Sequence, residues 1–578
     1  MRFRILAMGA FALAAVIGVS AASAVPNHDL IIRGGTIYDG SGAKPFVGDV
    51  TVDGDRISYV GPHAPGHGKT EIDAKGRAVS PGFVNMLSWA NESLLQDGRG
   101  QSDLRQGVTL EVMGEGSSMG PFNPAMVKAT IRDEADIKYD VDWTTLDGYL
   151  TKLEKKGVAM NVASFVGAGT VRENVLGLNN VQPDADQLAR MRALVHDAME
   201  DGALGVGSSL IYSPDNYAGT AELTALATEA GKCGGTYISH MRSEGDRVLE
   251  ALDELITISR ESGAPAELYH MKAAGKGNWA KEDAMIARIE AARASGLRIS
   301  ANMYTYTAGA TGLDAAMPPW VREGGIDAWI KRMKDPAVRA RLIGEMRDEH
   351  PSFENLYRHA GAEGTLLVAF KNPALKPLTG KTLAEVAKMR GESPEDAAID
   401  LVIEDGSRVG VIYFLMSEDN VKRQVNLPWM SFGSDEGALA PEGVFLLSNA
   451  HPRAYGNVAR LLGHYVRDEH ATTMESAIHR LSALPAANLG LHDRGLLKVG
   501  YYADVVVFDP ATVADHATYE KPHQYATGVS TVVVNGGLAL KDGEPTGAAT
   551  GRAVRGRGWK GWKDGGCRAS AKDWTWAW

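Results

Sequence analysis

Two histidines and one aspartate lie where short apolar stretches of strand length end. His240, His270 and Asp435 each close a predicted strand in the middle of the chain. Catalytic groups of a parallel barrel sit where strands end, so the three together indicate a site, although a single histidine there is more often structural. Two imidazoles and a carboxylate are the ligand and base set of a hydrolytic zinc site with one position open for water. The metal would lower the pKa of that water, and Asp435 would pass its proton to a leaving nitrogen.

The alternation of side chains along a strand predicts which neighbours share this pocket. His270 and Lys272 are two residues apart and should point to the same side, as should Tyr304 and Tyr306. A lysine beside a metal is electrostatically costly unless both share an anion, so we expect a substrate carboxylate there. A solvated lysine at a strand end is the alternative. Arg453 is a second candidate for holding a carboxylate, since guanidinium binds it in a bidentate manner.

The elements that would position these residues form an α/β fold. Short alternating strands separated by turn residues occupy 29–60 and return only at 503–537, whereas strand and helix patterns alternate between 79 and 489. We therefore predict a (β/α)₈ TIM-like barrel with a small β-sandwich built from both chain termini. The predicted boundaries are 1–24 for a signal peptide, 25–78 for the N-terminal part of the sandwich, 79–490 for the barrel with a helical insertion at about 327–404, 491–555 for the C-terminal part of the sandwich, and 556–578 for a Trp-rich tail.

The first residues predict export to the periplasm or the medium. Arg2 and Arg4 precede an apolar stretch at 5–19, and the small residues at 22–24 suggest cleavage after Ala24. A retained membrane anchor is the alternative, but the apolar stretch is shorter than the roughly 20 residues that span a bilayer. We interpret the tail as a poorly ordered or surface-docking extension.

Charge and cysteine content exclude several classes of function. The formal net charge of −11 argues against a nucleic-acid or other phosphate-rich partner. Cys233 and Cys567 are the two cysteines, so we expect neither a disulfide framework nor a thiolate-rich metal cluster. Any metal must therefore be bound by histidines and carboxylates.

Short motifs that run in one order through most of the chain resemble the D-aminoacylase (N-acyl-D-amino-acid deacylase) family of the amidohydrolase superfamily. They include Pro81-Gly82-Phe83, Gly107-Val108-Thr109, Ser239-His240-Met241-Arg242, His270-Met271-Lys272, Tyr304-Thr305-Tyr306-Thr307-Ala308-Gly309, Gly433-Ser434-Asp435 and His451-Pro452-Arg453-Ala454-Tyr455-Gly456. Many short matches in the same order are a far more specific signal than any one motif.

The resemblance implies a metal-dependent hydrolase that cuts the amide bond of N-acyl-D-amino acids or related dipeptides. By position it implies a tightly held metal on the two histidines, with Asp435 as the base. It also implies that Lys272 and Arg453 hold the substrate carboxylate with help from Tyr304 or Tyr306. The expected partner is therefore a small-molecule substrate, with no nucleic acid and no membrane span.

The departures from the family pattern all concern the metal ligands. Leu87-Ser88-Trp89 matches the position of a first-strand His-x-His pair, Gly116 matches a metal-bridging cysteine, and Ala168 replaces a further histidine. Glu115, adjacent to Gly116, could bring a carboxylate to the metal, while a solvent-facing loop acid is the alternative. We therefore predict one Zn²⁺ per chain, bound by Glu115, His240 and His270 with water in the fourth position.

Three other interpretations stay open at the level of sequence. A cyclic amide or lactone hydrolase of the same superfamily would use the same apparatus. A catalytically inactive ligand-binding barrel would explain the loss of the first-strand ligands, although it gives no reason to keep His240, His270 and Asp435 together. The C-terminal tryptophans could also bind a lipid or wall surface.

Overall fold

The computed structural model describes residues 27–563 and 565–567. The predicted signal peptide and the end of the predicted tail, 568–578, lie outside the described residues. Within the described ranges, no helix has the length and apolar character needed to cross a membrane.

The secondary structure alternates between strands and helices through most of the chain. The strands are β1 Asn27–Ile37, β2 Phe46–Asp53, β3 Arg56–Gly61, β4 His67–Asp73, β5 Ala78–Pro81, β6 Phe83–Asn85, β7 Val108–Met113, β8 Asn161–Ser164, β9 Val166–Gly167, β10 Gly205–Ser209, β11 Thr236–His240, β12 Ala266–Leu268, β13 Ile299–Met303, β14 Ala308–Gly312, β15 Thr365–Ala369, β16 Gly410–Phe414, β17 Met430–Phe432, β18 Val505–Phe508, β19 Val529–Val534, β20 Gly537–Lys541 and β21 Glu544–Pro545. The α-helices are α1 Ala90–Gln96, α2 Gln101–Leu104, α3 Pro124–Asp133, α4 Leu146–Lys156, α5 Ala168–Leu176, α6 Ala185–Glu200, α7 Thr220–Lys232, α8 Val248–Ser262, α9 Glu282–Ala294, α10 Pro319–Arg322, α11 Ile326–Met333, α12 Pro336–Met346, α13 Leu356–Ala360, α14 Leu383–Arg390, α15 Pro394–Asp405, α16 Glu418–Gln424, α17 Arg453–Arg460, α18 Met474–Leu481 and α19 Ala483–Asn488.

One sheet contains strands from both ends of the described chain. Its order is β21-β20-β19-β18-β5-β1-β2-β3, and β4 pairs with β1. The two ends meet where β18 runs antiparallel to β5, with Val506 opposite Ser80. Every residue of β18 is apolar and buried, which is typical of a strand covered on both faces. Residues more than 400 positions apart in the sequence thus share one layer.

The strands that carry the candidate site are parallel. They form the series β17-β13-β12-β11-β10-β9 and β6-β7-β8. Strands β8 and β9 are separated by one residue, and Met86 N donates to Phe432 O at 3.0 Å beside the two outer strands β6 and β17. Helices α6 to α9 connect β9 to β13 in succession, as expected for right-handed βα units. All strands in these two series therefore present their carboxyl ends to one side.

The segment between β13 and β17 has its own apolar core. Helices α11 to α15 occupy the region where the sequence predicts a helical insertion. The antiparallel sheet β14-β16-β15, which flanks these helices in the chain, was not predicted. Its strands are five residues long and their partners lie more than 40 residues apart, so local periodicity carries little information about their pairing.

The last described residues are attached to the outside of the parallel strands. Cys233 and Cys567 form a disulfide with Cα atoms 4.1 Å apart. Arg555 forms a salt bridge with Asp147, and the ring of Trp559 packs edge-on against Trp562. The two cysteines thus form one bridge, and the described part of the predicted tail docks on the surface of the protein.

Candidate active site

Three buried side chains bring one donor atom each to a single point. Oε1 of Glu115 lies 3.2 Å from Nδ1 of His240 and 2.9 Å from Nε2 of His270, and the two imidazole nitrogens are 3.0 Å apart. Ligands held at about 2.0–2.1 Å in a tetrahedron lie about 3.3 Å from one another, so this arrangement is close to that of a zinc site. The sequence predicted these three ligands, and the structure brings them together.

Two glycines aim the Glu115 carboxylate into the pocket. Gly114 and Gly116 both have positive φ, and they form a sharp turn just after β7. A Cβ atom at Gly116 would lie 2.3 Å from Cβ of Ser209, so a cysteine cannot occupy this position without a shift of its surroundings. The turn therefore carries the Glu115 carboxylate to the donor atoms of His240 and His270.

Buried polar residues of the parallel strands hold His270 in a strained conformation. The φ angle of His270 is +33°, a value that non-glycine residues rarely adopt. Its backbone N donates to Oδ1 of Asn302 at 2.8 Å, and Nδ2 of Asn302 donates to Glu267 at 2.9 Å. Strain of this kind persists where the surrounding structure fixes it, and it is frequent at functional sites.

Glu244 is a site residue that the sequence reasoning missed. Its Oε1 lies 2.9 Å from Nδ1 of His270, and its Oε2 lies 3.8 Å from Nε2 of His240. A carboxylate this close to Nδ1 supports the His270 ring, whose Nε2 faces the other two donors, whereas 3.8 Å is too long for a hydrogen bond to His240. The available signal was an acid four residues after a histidine that closes a strand.

Asp435 lies beside the three converging donors. It follows β17, and its φ is +54°. Its backbone N donates to Leu87 O at 2.8 Å, while Ser434 N donates to Asn85 at 2.7 Å. The carboxylate also forms a salt bridge of 2.9 Å with Arg453. These contacts fix the carboxylate at the pocket, where the sequence predicted a base.

Arg453 and Tyr304 offer buried donors to a ligand. The guanidinium of Arg453 is 1% exposed and lies 4.3 Å from the ring of Tyr304. Among the described residues, Nε and Nη1 of Arg453 and the hydroxyl of Tyr304 have no hydrogen-bond partner. Buried polar groups are normally hydrogen-bonded, so these atoms point to a missing acceptor.

Tyr306 does not take the position that the alternation predicted. Its hydroxyl donates to Asp515 at 3.0 Å, and it is not among the described residues that line the pocket. Strand β13 ends at Met303, so the alternation of a strand no longer applies to Tyr304 and Tyr306.

The indole of Trp89 connects two carboxylates of the site. Its Nε1 lies 3.0 Å from Oε2 of Glu115 and 3.1 Å from Oδ1 of Asp435. Leu87, which the sequence analysis paired with Trp89, is buried in an apolar cluster with Ile238 and Tyr269. Neither residue can act as a metal ligand.

The site opens into a cavity of about 630 Å³. Its polar end contains the candidate ligands together with Lys272, Asp435 and Arg453. Its other walls are mainly apolar and include Leu178, Leu356, Val368, Val411, Leu415, Leu439, Val444 and Phe445. A largely apolar cavity with a few convergent polar groups is typical of a small-molecule site.

The comparison with known sequences assigns the family. Residues 70–539 match the profile of the Amidohydrolase family. The chain is a member of this family. This amidohydrolase is 32% identical over 528 residues to a D-aminoacylase of Alcaligenes xylosoxydans xylosoxydans, in an alignment that covers 91% of this chain and 97% of that protein. The resemblance inferred from the motifs is thereby confirmed.

Solved structures of relatives have the same overall fold. A D-aminoacylase with a binuclear metal centre, in which one metal activates and the second attenuates, matches this amidohydrolase with a TM-score of 0.76 at 33% identity, over 91% of this chain and 100% of that one. An N-acyl-D-glutamate deacylase from Bordetella bronchiseptica, complexed with zinc and a phosphonate mimic of the tetrahedral intermediate, matches with a TM-score of 0.75 at 28% identity, over 92% and 100%. These neighbours confirm the mixed α/β class.

Lys272 in this amidohydrolase has a partner within the protein. Its Nζ lies 2.6 Å from Oε1 of Glu244 and 2.7 Å from Nδ1 of His270. Glu244 neutralises the lysine, so the charge argument for a substrate carboxylate does not hold by itself. Lys272 nevertheless lines the cavity, as His270 does.

The electrostatics of the site shift the pKa values of two of its carboxylates, Glu115 and Asp435, in opposite directions. Burial and Lys272 act to lower the pKa of His270, but Glu244 and Glu115 outweigh them and raise it to about 9. Burial acts to raise the pKa of Glu115, but His270 and His240 lower it below its usual range. Burial, opposed by Arg453, raises the pKa of Asp435. An ionised Glu115 thus faces a protonated His270, from which a divalent cation could displace the proton.

Proposed function

We propose that this amidohydrolase cleaves the amide bond of N-acyl-D-amino acids or related dipeptides. The observation that carries the proposal is the convergence of Glu115, His240 and His270 beside Asp435 in a cavity with unpaired donors on Arg453. The reaction and the D-configuration follow from its D-aminoacylase relative, with which it aligns over almost its full length.

The substrate carboxylate would bind at the end of the cavity formed by Arg453 and Tyr304. The buried Nε and Nη1 of Arg453 and the hydroxyl of Tyr304 supply donors that no described residue uses. Lys272 carries three N–H donors and can add one to the same anion while keeping its contact with Glu244. The scissile carbonyl would then lie between this anion site and the metal ligands.

The chemistry divides between the metal ligands and Asp435. A divalent metal ion held by Glu115, His240 and His270 would supply Lewis acidity, which lowers the pKa of water and polarises a carbonyl group. Asp435 would accept the proton of the attacking water and donate it to the leaving nitrogen. Its raised pKa favours that transfer, because a stronger base takes the proton more readily.

The metal would be one Zn²⁺ per chain. The donor set of two imidazoles and one carboxylate suits zinc and leaves a fourth position for water. Glu244 supports the set by placing a negative charge 2.9 Å from Nδ1 of His270. Elsewhere in the described chain, His196 approaches the disulfide of Cys233 and Cys567, whose sulfurs are already bonded to each other, and Glu418, His464 and Glu469 form a group that is not buried.

The apolar walls of the cavity would hold the acyl group or the amino-acid side chain. Val368, Val411 and Leu415 come from the segment between β13 and β17, and Val444 and Phe445 come from a loop after β17. Apolar side chains remove a hydrocarbon group from water, at roughly 25 cal/mol for each Å² buried. We expect substrates with an uncharged side chain of moderate size to be preferred over those with an acidic side chain.

Within the mixed α/β class, we propose a closed barrel of eight parallel strands together with a β-sandwich. The barrel would have eight strands: β6, β7, β8 continued by β9, β10, β11, β12, β13 and β17. The hydrogen bond from Met86 to Phe432, which links the two outer strands, supports its closure. The sheet made from both termini would curl into the β-sandwich that the sequence predicts. In such a barrel the candidate ligands lie at the carboxyl ends of the strands, where catalytic groups are expected.

Export to the periplasm or the medium remains part of the proposal. The first 24 residues have the composition of a signal peptide. The disulfide between Cys233 and Cys567 supports this placement, because disulfides persist mainly in oxidising compartments. Fractionation of cells that produce the full chain would test it, since the protein should leave the cytoplasm with its first residues removed.

The deciding experiment measures hydrolysis by the zinc-loaded protein. The panel consists of N-acetyl D- and L-amino acids, dipeptides, and uncharged cyclic amides and lactones, each assayed before and after chelation. We expect turnover of the D-series that is lost with the chelator and returns with zinc. The matched control is Asp435→Asn, which should keep its metal but lose at least about 100-fold in kcat. Turnover restricted to uncharged rings would show that the substrate class is wrong.

A further inference from the structure

Trp89 occupies the space between two carboxylates that face each other across the site. The single N–H of its indole lies 3.0 Å from Glu115 and 3.1 Å from Asp435. Glu115 offers its other oxygen, Oε1, to His240 and His270. The Glu115 carboxylate is therefore divided between the metal position on one side and the indole on the other.

The charges in contact at the site favour one divalent cation. Three carboxylates, Glu115, Glu244 and Asp435, contact the candidate histidines or the indole, and two cationic side chains, Lys272 and Arg453, pair with Glu244 and Asp435. One divalent ion and one substrate carboxylate therefore bring the cluster to neutrality. A second divalent ion would leave two uncompensated positive charges in a buried pocket, which is unfavourable.

We infer that the indole N–H of Trp89 takes the place of a second metal ion, an inference that rests on the proposed metal-dependent function. A D-aminoacylase relative has a binuclear centre, whereas here a neutral N–H donor bridges the two carboxylates. Trp89 thereby limits the site to one ion and holds Asp435 in place. It is a positioning residue, since it acts through the two carboxylates that it joins.

The shape of the side chain suggests a direct test. Nε2 of a histidine lies about as far from Cβ as Nε1 of a tryptophan, so Trp89→His would place a lone pair near the present N–H. Together with Oε2 of Glu115 and Oδ1 of Asp435, this substitution supplies three donors for a second ion. Trp89→Phe keeps a ring and removes the N–H without adding a ligand. Trp320→Phe is the matched control, because its indole also donates to a carboxylate, that of Glu345 at 2.8 Å, away from the site.

The primary measurement is metal content without substrate. Each protein is dialysed against excess Zn²⁺ and then against a metal-free buffer, and the zinc retained per chain is determined by mass spectrometry. We expect one ion in the wild type, Trp89→Phe and Trp320→Phe, and close to two in Trp89→His. Two ions in the wild type, or one ion in a folded Trp89→His protein, would overturn the inference.

Kinetics test the positioning role separately. Trp89→Phe should lower kcat by about 10- to 100-fold, the effect of losing a hydrogen bond to a charged group, and leave KM within about threefold. Trp320→Phe should change neither. An unchanged kcat in Trp89→Phe would show that the indole does not position Asp435. If no substrate is turned over, the proposed function fails while the zinc content still decides whether Trp89 excludes the second ion.

Discussion

Nζ of Lys272 lies 2.6 Å from the carboxylate of Glu244, which also lies 2.9 Å from Nδ1 of His270. One buried acid therefore neutralises a lysine and orients a candidate metal ligand. Burial acts to raise the pKa of Glu244, but Lys272, His240 and His270 lower it below its usual range, so the acid is ionised when the site is assembled.

Replacing this acid should weaken metal binding. We expect Glu244→Gln to reduce zinc affinity by about 10- to 100-fold, because the negative charge beside Nδ1 of His270 is lost. Zinc titration in competition with a chromophoric chelator measures the change. Glu254→Gln is the matched control, since it removes a carboxylate of helix α8 that pairs with Arg242. Equal affinities for the wild type and Glu244→Gln would show that Glu244 does not support the ligand.

Removing either histidine ligand should empty the site. We expect His240→Ala and His270→Ala to contain close to no zinc after dialysis, because two of three protein ligands do not hold the ion against dilution. Mass spectrometry of the purified proteins measures the content. His492→Ala, at an exposed histidine, should keep the wild-type amount. Retention of zinc by both ligand variants would place the metal elsewhere.

Zinc affinity should rise with pH up to about 9. The pKa of His270 in the metal-free protein is raised to about 9, so below that value the ring is protonated and must release a proton to bind zinc. The apparent affinity should therefore increase about tenfold for each unit between pH 6.5 and 8.5. Calorimetric titrations in buffers of different ionisation enthalpy measure both the affinity and the released proton. A constant affinity over this range would contradict the protonated state.

The substrate carboxylate should be recognised by Arg453 and Tyr304. Arg453 also pairs with Asp435, so Arg453→Met would affect catalysis as well as substrate binding. Comparing N-acetyl-D-amino acids with their C-terminal amides separates the two effects. We expect the substitution to lower kcat/KM for the acid at least about 10-fold more than for the amide, since a charged hydrogen bond is lost. Tyr304→Phe should show the same preference to a smaller extent. Equal losses for acid and amide would exclude this anion site.

A buried acid outside the site should make stability depend on pH. Glu282 is fully buried, and one of its oxygens has no partner among the described residues. Burial, opposed by the amide of Gln424, raises its pKa to about 7. Because this value is above that of the unfolded chain, the stabilisation is complete below about pH 4.5 and is lost as the pH rises to 7.

Glu282→Gln should therefore raise the free energy of unfolding at pH 8 by up to about 3 kcal/mol and leave it unchanged near pH 4.5. Thermal unfolding at the two pH values measures the difference. Asp283→Asn, at the exposed neighbouring acid, is the control and should have little effect. A pH-independent change would mean that Glu282 does not titrate in this range.

The sequence by itself determined the residues that converge at the site. His240, His270 and Asp435 follow apolar strands, and parallel strands bring their carboxyl ends together whatever lies between them in the chain. The resemblance also predicted, without a structure, that Leu87 and Trp89 stand where relatives carry metal ligands. The alternation of apolar residues in a strand and the order of short motifs along the chain are both properties of the sequence itself, so a single sequence is enough to recognise them.

The tertiary structure alone decided what each side chain contacts. The pairing of Lys272 with Glu244, the donation of Trp89 to two carboxylates and the turn of Tyr306 towards Asp515 all depend on the path of loops after the strands end. Beyond a strand end the alternation of side chains no longer predicts direction. Contacts between residues hundreds of positions apart then follow from packing, which sequence patterns do not encode.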